Sequence, residues 1–309
     1  MTRCGIVALA GLPNAGKSTL LNALLGERLA IVSPKPQTTR IPVRGLLTDA
    51  ETQLVVVDPA GLLDPAYPLQ QAMRGAAVAA IADADVVVHV HRLGEWPAPP
   101  LERLLEQGGA PARSARRGRG GEGARRGGRL PAARVLAYTQ ADLVPAARRP
   151  SLAPGELAVS AVTGEGLEAL RAALRALVPE GPFLHDDADL ATQPARFFAA
   201  EFIREAVFAE LRQELPYAVA VTVDTFHERE SGVYIRATLA VERASQKPIV
   251  LGHGGRTIKA VGTAARRRIA ELLGRPAHLT LWVTVWPGWR SDPARLAQLG
   301  LPVPQEAGR

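Results

Sequence analysis

The feature of this sequence that most limits its fold is the glycine-bounded segment 11–18, which reads Gly-Leu-Pro-Asn-Ala-Gly-Lys-Ser. An apolar run that predicts a strand precedes it and a run that predicts a helix follows, which is the context that gives the pattern G-x-x-x-x-G-K-[ST] its meaning. The amides of such a loop and the positive end of the next helix bind phosphate. We expect Lys17 to reach the β- and γ-phosphates of a nucleotide and the Ser18 hydroxyl to bind Mg²⁺. A chance glycine-rich turn is the alternative, which the flanking strand and helix disfavour.

Two later segments carry further polar groups that such a site needs. The loop 33–40 is rich in proline and hydroxyl groups, and a threonine in it would complete the Mg²⁺ shell when a γ-phosphate is bound. A β-branched run over 53–57 ends at Asp58-Pro-Ala-Gly61. A carboxylate at such a strand end supports Mg²⁺ from outside its first shell, and the Gly61 amide would face the γ-phosphate. An ordinary polar turn is the alternative at each place.

Strands and helices alternate through the rest of the first half. The sequence predicts strands over 84–90, 134–138 and 157–159 and helices over 73–82, 101–107 and 166–177. This alternation predicts a parallel α/β sheet that binds ligands at the carboxyl ends of its strands. Thr139-Gln-Ala-Asp142 and Ser160-Ala161 lie at two of those ends. His89 and His91 alternate along one strand without cysteine or acidic companions, so we interpret them as strand residues and not as metal ligands.

Composition excludes several classes of protein. Of the 309 residues 47% are hydrophobic, yet no apolar run approaches the roughly 20 residues that span a membrane. The single cysteine, Cys4, excludes an internal disulfide and fits a reducing compartment. The first strand begins almost at the N-terminus, which predicts no signal peptide. We therefore expect a cytoplasmic protein.

Most of the net charge of +7 lies in one stretch. Residues 108–129 hold seven arginines, one glutamate and eight glycines, with no large apolar side chain. Such a composition cannot form a core, so we expect the insertion over 108–130 to be disordered. An arginine loop that touches RNA and a solvated insertion both fit these residues, and we favour the solvated insertion.

The second half predicts a different domain. Residues 180–193 are rich in proline and acid and form the expected linker between a first domain over 1–179 and a second over 194–309. The acids and the histidine of this linker are more typical of a solvated segment than of a metal site. The second domain is predicted as helix, strand, strand, helix, loop, helix and strand over 194–214, 217–225, 233–241, 246–251, 252–255, 256–273 and 277–285.

That order around a G-x-x-G loop is typical of a type II KH domain, which binds single-stranded nucleic acid. A nucleic-acid backbone can approach the loop closely because its glycines carry no side chain. The residues predicted to contact RNA are Gly252, His253, Gly254, Gly255, Arg256 and Lys259. Arg266, Arg267 and Arg268 are expected to add phosphate contacts. A turn that only joins two helices is the alternative.

The order of these motifs resembles the Era family, the bacterial GTPases of small-ribosomal-subunit assembly. The likeness is carried by the loop 11–18, Ser33-Pro-Lys-Pro-Gln-Thr-Thr-Arg40, Asp58-x-x-Gly61, Thr139-Gln-Ala-Asp142, Ser160-Ala161, Arg196-Phe197, Pro216-Tyr217, Ser245-Gln-Lys247 and Trp289-Arg290. It implies an α/β P-loop GTPase domain with a mostly parallel sheet and helices on both faces, followed by an α+β type II KH domain. It also implies GTP or GDP and Mg²⁺ as cofactors, and 16S ribosomal RNA and the 30S subunit as partners.

The resemblance also implies roles for individual residues. The nucleotide contacts are Gly11, Asn14, Ala15, Gly16, Lys17, Ser18, Thr19, Asp58, Gly61, Thr139, Gln140, Asp142, Ser160 and Ala161. Lys17, Asn14 and Thr39 would be catalytic, and Ser18 and Thr39 would bind Mg²⁺. Asp142 would pair with the N1 and N2 groups of guanine, and the Ala161 amide with its O6. Because Leu62 stands where Ras has glutamine, the resemblance further implies K⁺ held by Asn14.

Two motifs depart from the family pattern. Asp58-Pro-Ala-Gly61 replaces Asp-Thr-Pro-Gly, and Thr139-Gln140 replaces Asn-Lys, so the lysine stem that covers the base is missing. We expect a slow GTP-hydrolysing switch in 30S subunit biogenesis. A factor that holds nucleotide and RNA with little hydrolysis is the alternative, whereas a metabolic P-loop kinase would leave the KH half without a role. We also expect a monomer that contacts the inner face of the cell membrane peripherally.

Overall fold

The chain forms two units, as seen in a computed structural model that describes residues 1–107, 130–131 and 133–302. The first unit comprises residues 1–30, 39–66 and the described part of 73–192, and the second comprises 31–38, 67–72 and the described part of 193–309. The arginine-rich stretch 108–129 lies outside the described residues, and so does the prediction made for it. Among the residues described, no helix is long and apolar enough to cross a membrane.

The first unit is built on a six-stranded sheet. Its strands are β1 (Arg3–Ala10), β2 (Val43–Thr48), β3 (Thr52–Asp58), β4 (Val86–Arg92), β5 (Ala133–Thr139) and β6 (Glu156–Ala158). They lie in the order β2-β3-β1-β4-β5-β6, and only β2 runs antiparallel to its neighbour. The inner strands β1, β3 and β4 are mostly buried and rich in valine, which is typical of strands covered on both faces. The predicted mostly parallel α/β sheet is confirmed.

The helices of this unit follow the strands as predicted. They are α1 (Lys17–Leu25), α2 (Pro68–Ala82, whose first turn groups with the second unit), α3 (Leu101–Glu106) and α4 (Leu167–Leu177). The sequence predicted α2 only from residue 73, whereas the helix begins at Pro68. Proline suits the first position of a helix because its missing N–H has no partner there in any case.

The sequence missed β2. This strand has only six residues, and one of them is Gly45, which weakens the sequence pattern that predicts a strand. The structure explains the glycine, because a Cβ at this position would lie 2.3 Å from Leu25 Cδ1. Gly45 thus lets the end of α1 pack directly on β2.

The acidic segment 180–192, predicted as a linker, groups with the first unit. The Leu46 amide donates to the Leu190 carbonyl at 2.9 Å, and the Thr192 amide donates to the Arg44 carbonyl at 3.3 Å. The side-chain oxygen of Gln53 accepts from the Leu184 amide at 2.8 Å. These bonds hold the segment along β2, at the edge of the sheet.

The second unit has the predicted α+β order. Its helices are α5 (Ala195–Glu210), α6 (Leu215–Ala218), α7 (Lys247–Leu251), α8 (Arg256–Leu273) and α9 (Pro293–Gln298). Its strands are β7 (Val219–Arg229), β8 (Gly232–Val241) and β9 (Ala277–Val285). The central strand β8 pairs antiparallel with β7 and parallel with β9. Trp289 is fully buried and donates from Nε1 to the Ala218 carbonyl at 2.9 Å, which fastens the segment after β9 to the start of the sheet.

Two short segments that the sequence placed in the first domain group with this second unit. In residues 31–38, the Lys35 ammonium donates to the carbonyls of Phe208 and Leu211 at the end of α5, the latter at 2.7 Å. Arg204 of α5 is buried beside Glu201 and donates to the Thr38 carbonyl. The chain therefore passes from the second unit to the first between Thr38 and Thr39.

Candidate functional site

Two glycines shape the loop that follows β1. A Cβ at Gly11 would lie 2.2 Å from the Val90 carbonyl oxygen, so only glycine fits against β4 there. Gly16 has a φ of +88° and precedes the first turn of α1, a conformation that glycine adopts without steric cost. The two positions that define the sequence motif are thus the two that the backbone requires to be glycine. They turn the loop 11–16 onto the N-terminus of α1.

Lys17 is buried and folds over this loop. Its Nζ donates to the carbonyls of Gly11, at 3.3 Å, and Leu12, at 2.9 Å. Burial lowers the pKa of Lys17 to about 8, and the nearby Asp58 carboxylate opposes part of that shift. A cation at the mouth of an amide-lined loop has the chemistry to bind a phosphate oxygen.

Three oxygens meet beside Lys17. Ser18 Oγ donates to Asp58 Oδ2 at 2.6 Å and lies 3.1 Å from Thr39 Oγ1, which itself lies 3.3 Å from Asp58 Oδ2. Asp58 is fully buried and its Oδ1 has no hydrogen-bond partner among the described residues. Burial raises the pKa of Asp58, while Lys17 and the two hydroxyls act against the rise.

This cluster fits Mg²⁺. A buried carboxylate oxygen without a partner is costly unless something polar reaches it. Mg²⁺ takes oxygen ligands and keeps several of its waters, so the two hydroxyls can bind it directly while the carboxylate holds them and a bound water. The sequence predicted these three residues separately, and the fold brings them together.

The segment after Asp58 closes on the phosphate loop. A Cβ at Gly61 would lie 2.5 Å from the Pro13 nitrogen, so glycine is required for this approach. The Leu62 amide donates to the Gly11 carbonyl at 2.9 Å. The Leu62 side chain is buried in a core cluster with Ala8 and Ile81. It therefore offers no polar group to the site, as the sequence predicted.

The other end of the site lies at the ends of β5 and β6. Thr139 Oγ1 donates to the carbonyls of Ala15, at 2.6 Å, and His91, at 3.1 Å, which ties this end to the phosphate loop. Gln140 takes a left-handed backbone with φ 58°. The exposed carboxylate of Asp142 accepts from Ser160 Oγ at 2.6 Å. Ala161 follows directly, so the predicted base-binding residues do lie together.

The remaining predicted nucleotide contacts lie between these ends. Asn14 has a φ of 60° at the tip of the loop, and Thr19 lies in the first turn of α1. The Asn14 carbonyl accepts from Arg92 Nε at 2.9 Å. The sequence gave no sign of Arg92, which belongs to no motif and reaches the loop only because β4 lies beside β1.

The predicted nucleic-acid loop lies between α7 and α8. A Cβ at Gly252 would lie 2.3 Å from Thr257 Oγ1, whereas Gly254, at φ 58°, faces open space. Gly255 is left-handed and precedes α8. The loop therefore needs glycine for two reasons, a close approach at Gly252 and a positive φ at all three positions.

The helical period of α8 separates its core from its charges. Val261, Ala265 and Ile269 are buried on one side. Four residues at helical spacing line a groove on the other side, namely Arg256, Lys259, Thr263 and Arg267. Arg268 was predicted to contact phosphate, but it packs over the Phe202 ring at 4.9 Å and pairs with Glu271 at 2.7 Å.

Comparisons with known proteins agree with both halves of this geometry. Residues 6–111 match a family described as 50S ribosome-binding GTPase, and residues 214–290 match the KH domain family. GTPase Era of Afipia carboxidovorans is 40% identical over 99% of this chain and 96% of its own length. GTPase Era of Bradyrhizobium sp. (strain BTAi1) is 37% identical over the same shares.

The chain belongs to the Era family of GTPases. Solved structures agree, since an Era variant from Aquifex aeolicus bound to GDP and AlF4⁻ matches with a TM-score of 0.83 and 29% identity, covering 97% of this chain and 99% of that one. An Era complex with MgGDPNP and nucleotides 1506–1542 of 16S ribosomal RNA matches equally, at 28% identity and the same coverage. The chain is thus a GTPase that uses GTP, GDP and Mg²⁺, as the sequence predicted, and not a metabolic kinase.

Proposed function

We propose that this chain is a GTP-driven switch that binds the 3′ region of 16S ribosomal RNA during assembly of the 30S subunit. The observation that carries the proposal is the match, over 97% of the chain, to an Era complex that holds both MgGDPNP and that RNA. The glycine loop 252–255 and the basic face of α8 support it independently, because both suit a nucleic-acid backbone.

Each residue at the phosphate end takes a role that its surroundings support. Lys17 leaves the loop carbonyls for the β- and γ-phosphate oxygens and stabilises the charge that develops there. Ser18 and Thr39 bind Mg²⁺, and Asp58 holds their hydroxyls and the metal's water. The Gly61 amide faces the γ-phosphate. Mg²⁺, when bound, neutralises charge on the β- and γ-oxygens.

Hydrolysis at this site lacks a glutamine to orient water, because Leu62 is buried in the core. Asn14, at the tip of the loop, would hold K⁺ beside the phosphates and supply positive charge. A slow intrinsic rate is the expected result. Binding of RNA is then expected to change that rate, which comparing GTP turnover with and without small-subunit RNA would measure.

Guanine specificity is proposed for the other end. The Asp142 carboxylate accepts the N1 and N2 hydrogens of guanine, and the Ala161 amide donates to its O6. Thr139 fastens this end to the phosphate loop through the Ala15 carbonyl. Gln140 would position the backbone of this loop, but it lacks the aliphatic stem with which a lysine would cover the base.

The switch and the RNA-binding unit share one piece of chain. Thr39 lies in the Mg²⁺ cluster, and the carbonyl of its neighbour Thr38 accepts from Arg204 in α5. We propose the cytoplasm as the site of action, and both the monomeric state and the peripheral membrane contact stay predictions.

The test compares two glycines, one on each side of α8, that have the same backbone conformation. Gly254 and Gly274 precede and follow the helix, both have positive φ near 60° and neither has an atom within 4 Å of an added Cβ. Gly254→Asp should weaken binding of a 16S 3′ RNA fragment by about tenfold or more, because it adds bulk and negative charge where phosphate passes. Gly274→Asp carries the same strain and charge and should bind RNA normally. Equal affinities for the two variants would overturn the placement of RNA on this loop.

A further inference from the structure

One arginine outside every motif binds both of the loops that face the base. Arg149 donates from Nε to the Val144 carbonyl at 3.0 Å and from Nη2 to the Ala141 carbonyl at 2.7 Å. The same guanidinium forms a two-pronged pair with the Glu165 carboxylate, with one contact at 3.1 Å. Ala141 and Val144 flank Asp142, whereas Glu165 lies in the loop that carries Ala161.

Glu165 is itself tied to the residues that meet the base. Its carbonyl accepts from the Ser160 amide at 2.9 Å, and Ser160 Oγ donates to Asp142 at 2.6 Å. The loop is then closed by Gly166, where a Cβ would lie 2.1 Å from the Ala158 carbonyl oxygen. A closed set of bonds thus runs from Arg149 through Glu165 and Ser160 to Asp142, and back through Ala141.

The electrostatics agree with this arrangement. The hydrogen bond to Glu165 raises the pKa of Arg149, and the negative charge of Asp142 adds to that effect. The positive charge of Arg149 thus interacts favourably with both the Glu165 and the Asp142 carboxylates, which repel one another.

Guanine recognition requires the two loops at the base end to keep a fixed distance from one another. A single purine must meet the Asp142 carboxylate and the Ala161 amide at once, although the two groups lie on different loops. A displacement of about 1 Å is enough to spoil such a pair of contacts.

We propose that Arg149 is a positioning residue for guanine recognition, which fastens loop 139–144 to loop 160–166 so that both face one base. The inference rests on the proposed function, since it deepens the account of the same base site. An ordinary surface ion pair contributes little to stability. Arg149 differs because its fork binds two carbonyls of one loop and a carboxylate of the other.

The chain offers a matched control in Arg134. This arginine also pairs with a glutamate, Glu102, and also donates from Nε to a carbonyl, that of Pro131 at 3.2 Å. Its side chain is 42% exposed, compared with 26% for Arg149, and it touches neither base loop. Arg134→Ala thus removes a similar set of contacts away from the base.

The experiment measures competition of GTP and ATP against a fluorescent GDP, together with the rate of GDP release. ATP uses the phosphate end but not Asp142, so it reports any general damage to the site. Arg149→Ala should lower the preference for GTP over ATP by about tenfold and speed GDP release, mainly through GTP affinity. Arg149→Lys keeps the charge but loses the fork, so it should recover only part of the preference. Arg134→Ala should change neither quantity.

Two outcomes would overturn the inference. One is an unchanged GTP-to-ATP preference in Arg149→Ala, and the other is an equal loss of affinity for both nucleotides, which is what a merely structural role predicts. Should Arg149→Ala fail to fold, Glu165→Gln removes the paired charge with little change of shape and must show the same loss of preference. If the unaltered protein does not prefer GTP over ATP, the assignment of guanine to this site is wrong. The competition measurement on the unaltered protein alone shows this, independently of the Arg149 variants.

Discussion

The two ends of the nucleotide site are built in opposite ways. At the phosphate end, Lys17 and Asp58 are buried, and Asp58 Oδ1 has no partner among the described residues. At the base end, Asp142 is exposed and its carboxylate already accepts from Ser160 at 2.6 Å. The phosphate end holds a buried carboxylate oxygen that only a ligand can pair. At the base end, the hydrogen bond from Ser160 already holds the carboxylate that recognises the base.

This difference separates affinity from specificity. Groups at the phosphate end act on any nucleoside triphosphate, because every one of them carries the same phosphates. Groups at the base end act only on the choice of base. Substitutions at the two ends should therefore give different patterns across GTP, ATP and XTP, and those patterns test the comparison.

The largest effect is expected at Lys17. Lys17→Met keeps the aliphatic stem but removes the ammonium, which loses charge-assisted bonds worth roughly 1.5–3 kcal/mol each. Affinity for GTP and ATP should fall together, by about a hundredfold or more, in competition against fluorescent GDP. RNA binding without nucleotide is the control and should not change. A fall confined to GTP would contradict the division between the two ends.

The next effect is expected at Asp142. The intact protein should prefer GTP over ATP by about a hundredfold, because adenine cannot donate to the carboxylate and so loses both of the hydrogen bonds that guanine makes with it. Asp142→Asn should weaken GTP, leave ATP unchanged and strengthen XTP, whose 2-oxo group suits an amide donor. The same competition measures all three. An intact protein in which ATP competes within about tenfold of GTP would show that Thr139-Gln-Ala-Asp142 does not read guanine.

A smaller effect should follow pH. Burial lowers the pKa of Lys17 from 10.5 to about 8, so the folded protein without nucleotide releases this proton at a lower pH than the unfolded chain does. Stability of that form should therefore rise with pH between those two values. A bound phosphate favours the charged ammonium, so nucleotide binding takes up a proton and GDP affinity should fall above about pH 8.

The measurement is GDP affinity between about pH 7 and pH 9, where the slope should approach but not exceed tenfold per pH unit. Lys17→Met lacks the titrating group and should give a much flatter profile. The same steep slope in both proteins would mean that another group is responsible.

The smallest effect concerns the ion beside the phosphates. With Leu62 buried, hydrolysis should be several-fold faster in K⁺ than in Na⁺ because K⁺ supplies charge near the γ-phosphate. Asn14→Gly keeps the left-handed backbone of the loop but removes the side-chain oxygen, and should make the two rates equal. Phosphate release in matched chloride salts measures this. Equal rates in the unaltered protein would exclude the ion from the phosphate end.

The sequence was sufficient for those parts of the site that local backbone geometry dictates. Gly11 and Gly16 are glycine because of close approach and positive φ, and such requirements leave a readable motif. Arg149 was missed because two of its acceptors are backbone carbonyls, which every residue has, and its third partner, the Glu165 carboxylate, belongs to no motif. The grouping of residues 31–38 with the second unit has no local signal, because Lys35 and Thr38 find their partners in α5, more than a hundred residues away.

The acidic segment along β2 has a consequence for how the chain behaves in a crowded solution. An edge strand with bare amides and carbonyls is a template on which other chains can add strands. Here the Leu46 amide and the Arg44 carbonyl are already engaged by residues 190 and 192. A nick between residues 179 and 190 would free that cover and leave the sheet open at one side. A first unit that ends at residue 179, where the sequence predicts its boundary, would therefore be prone to self-association. Keeping residues 180–192 should preserve its solubility.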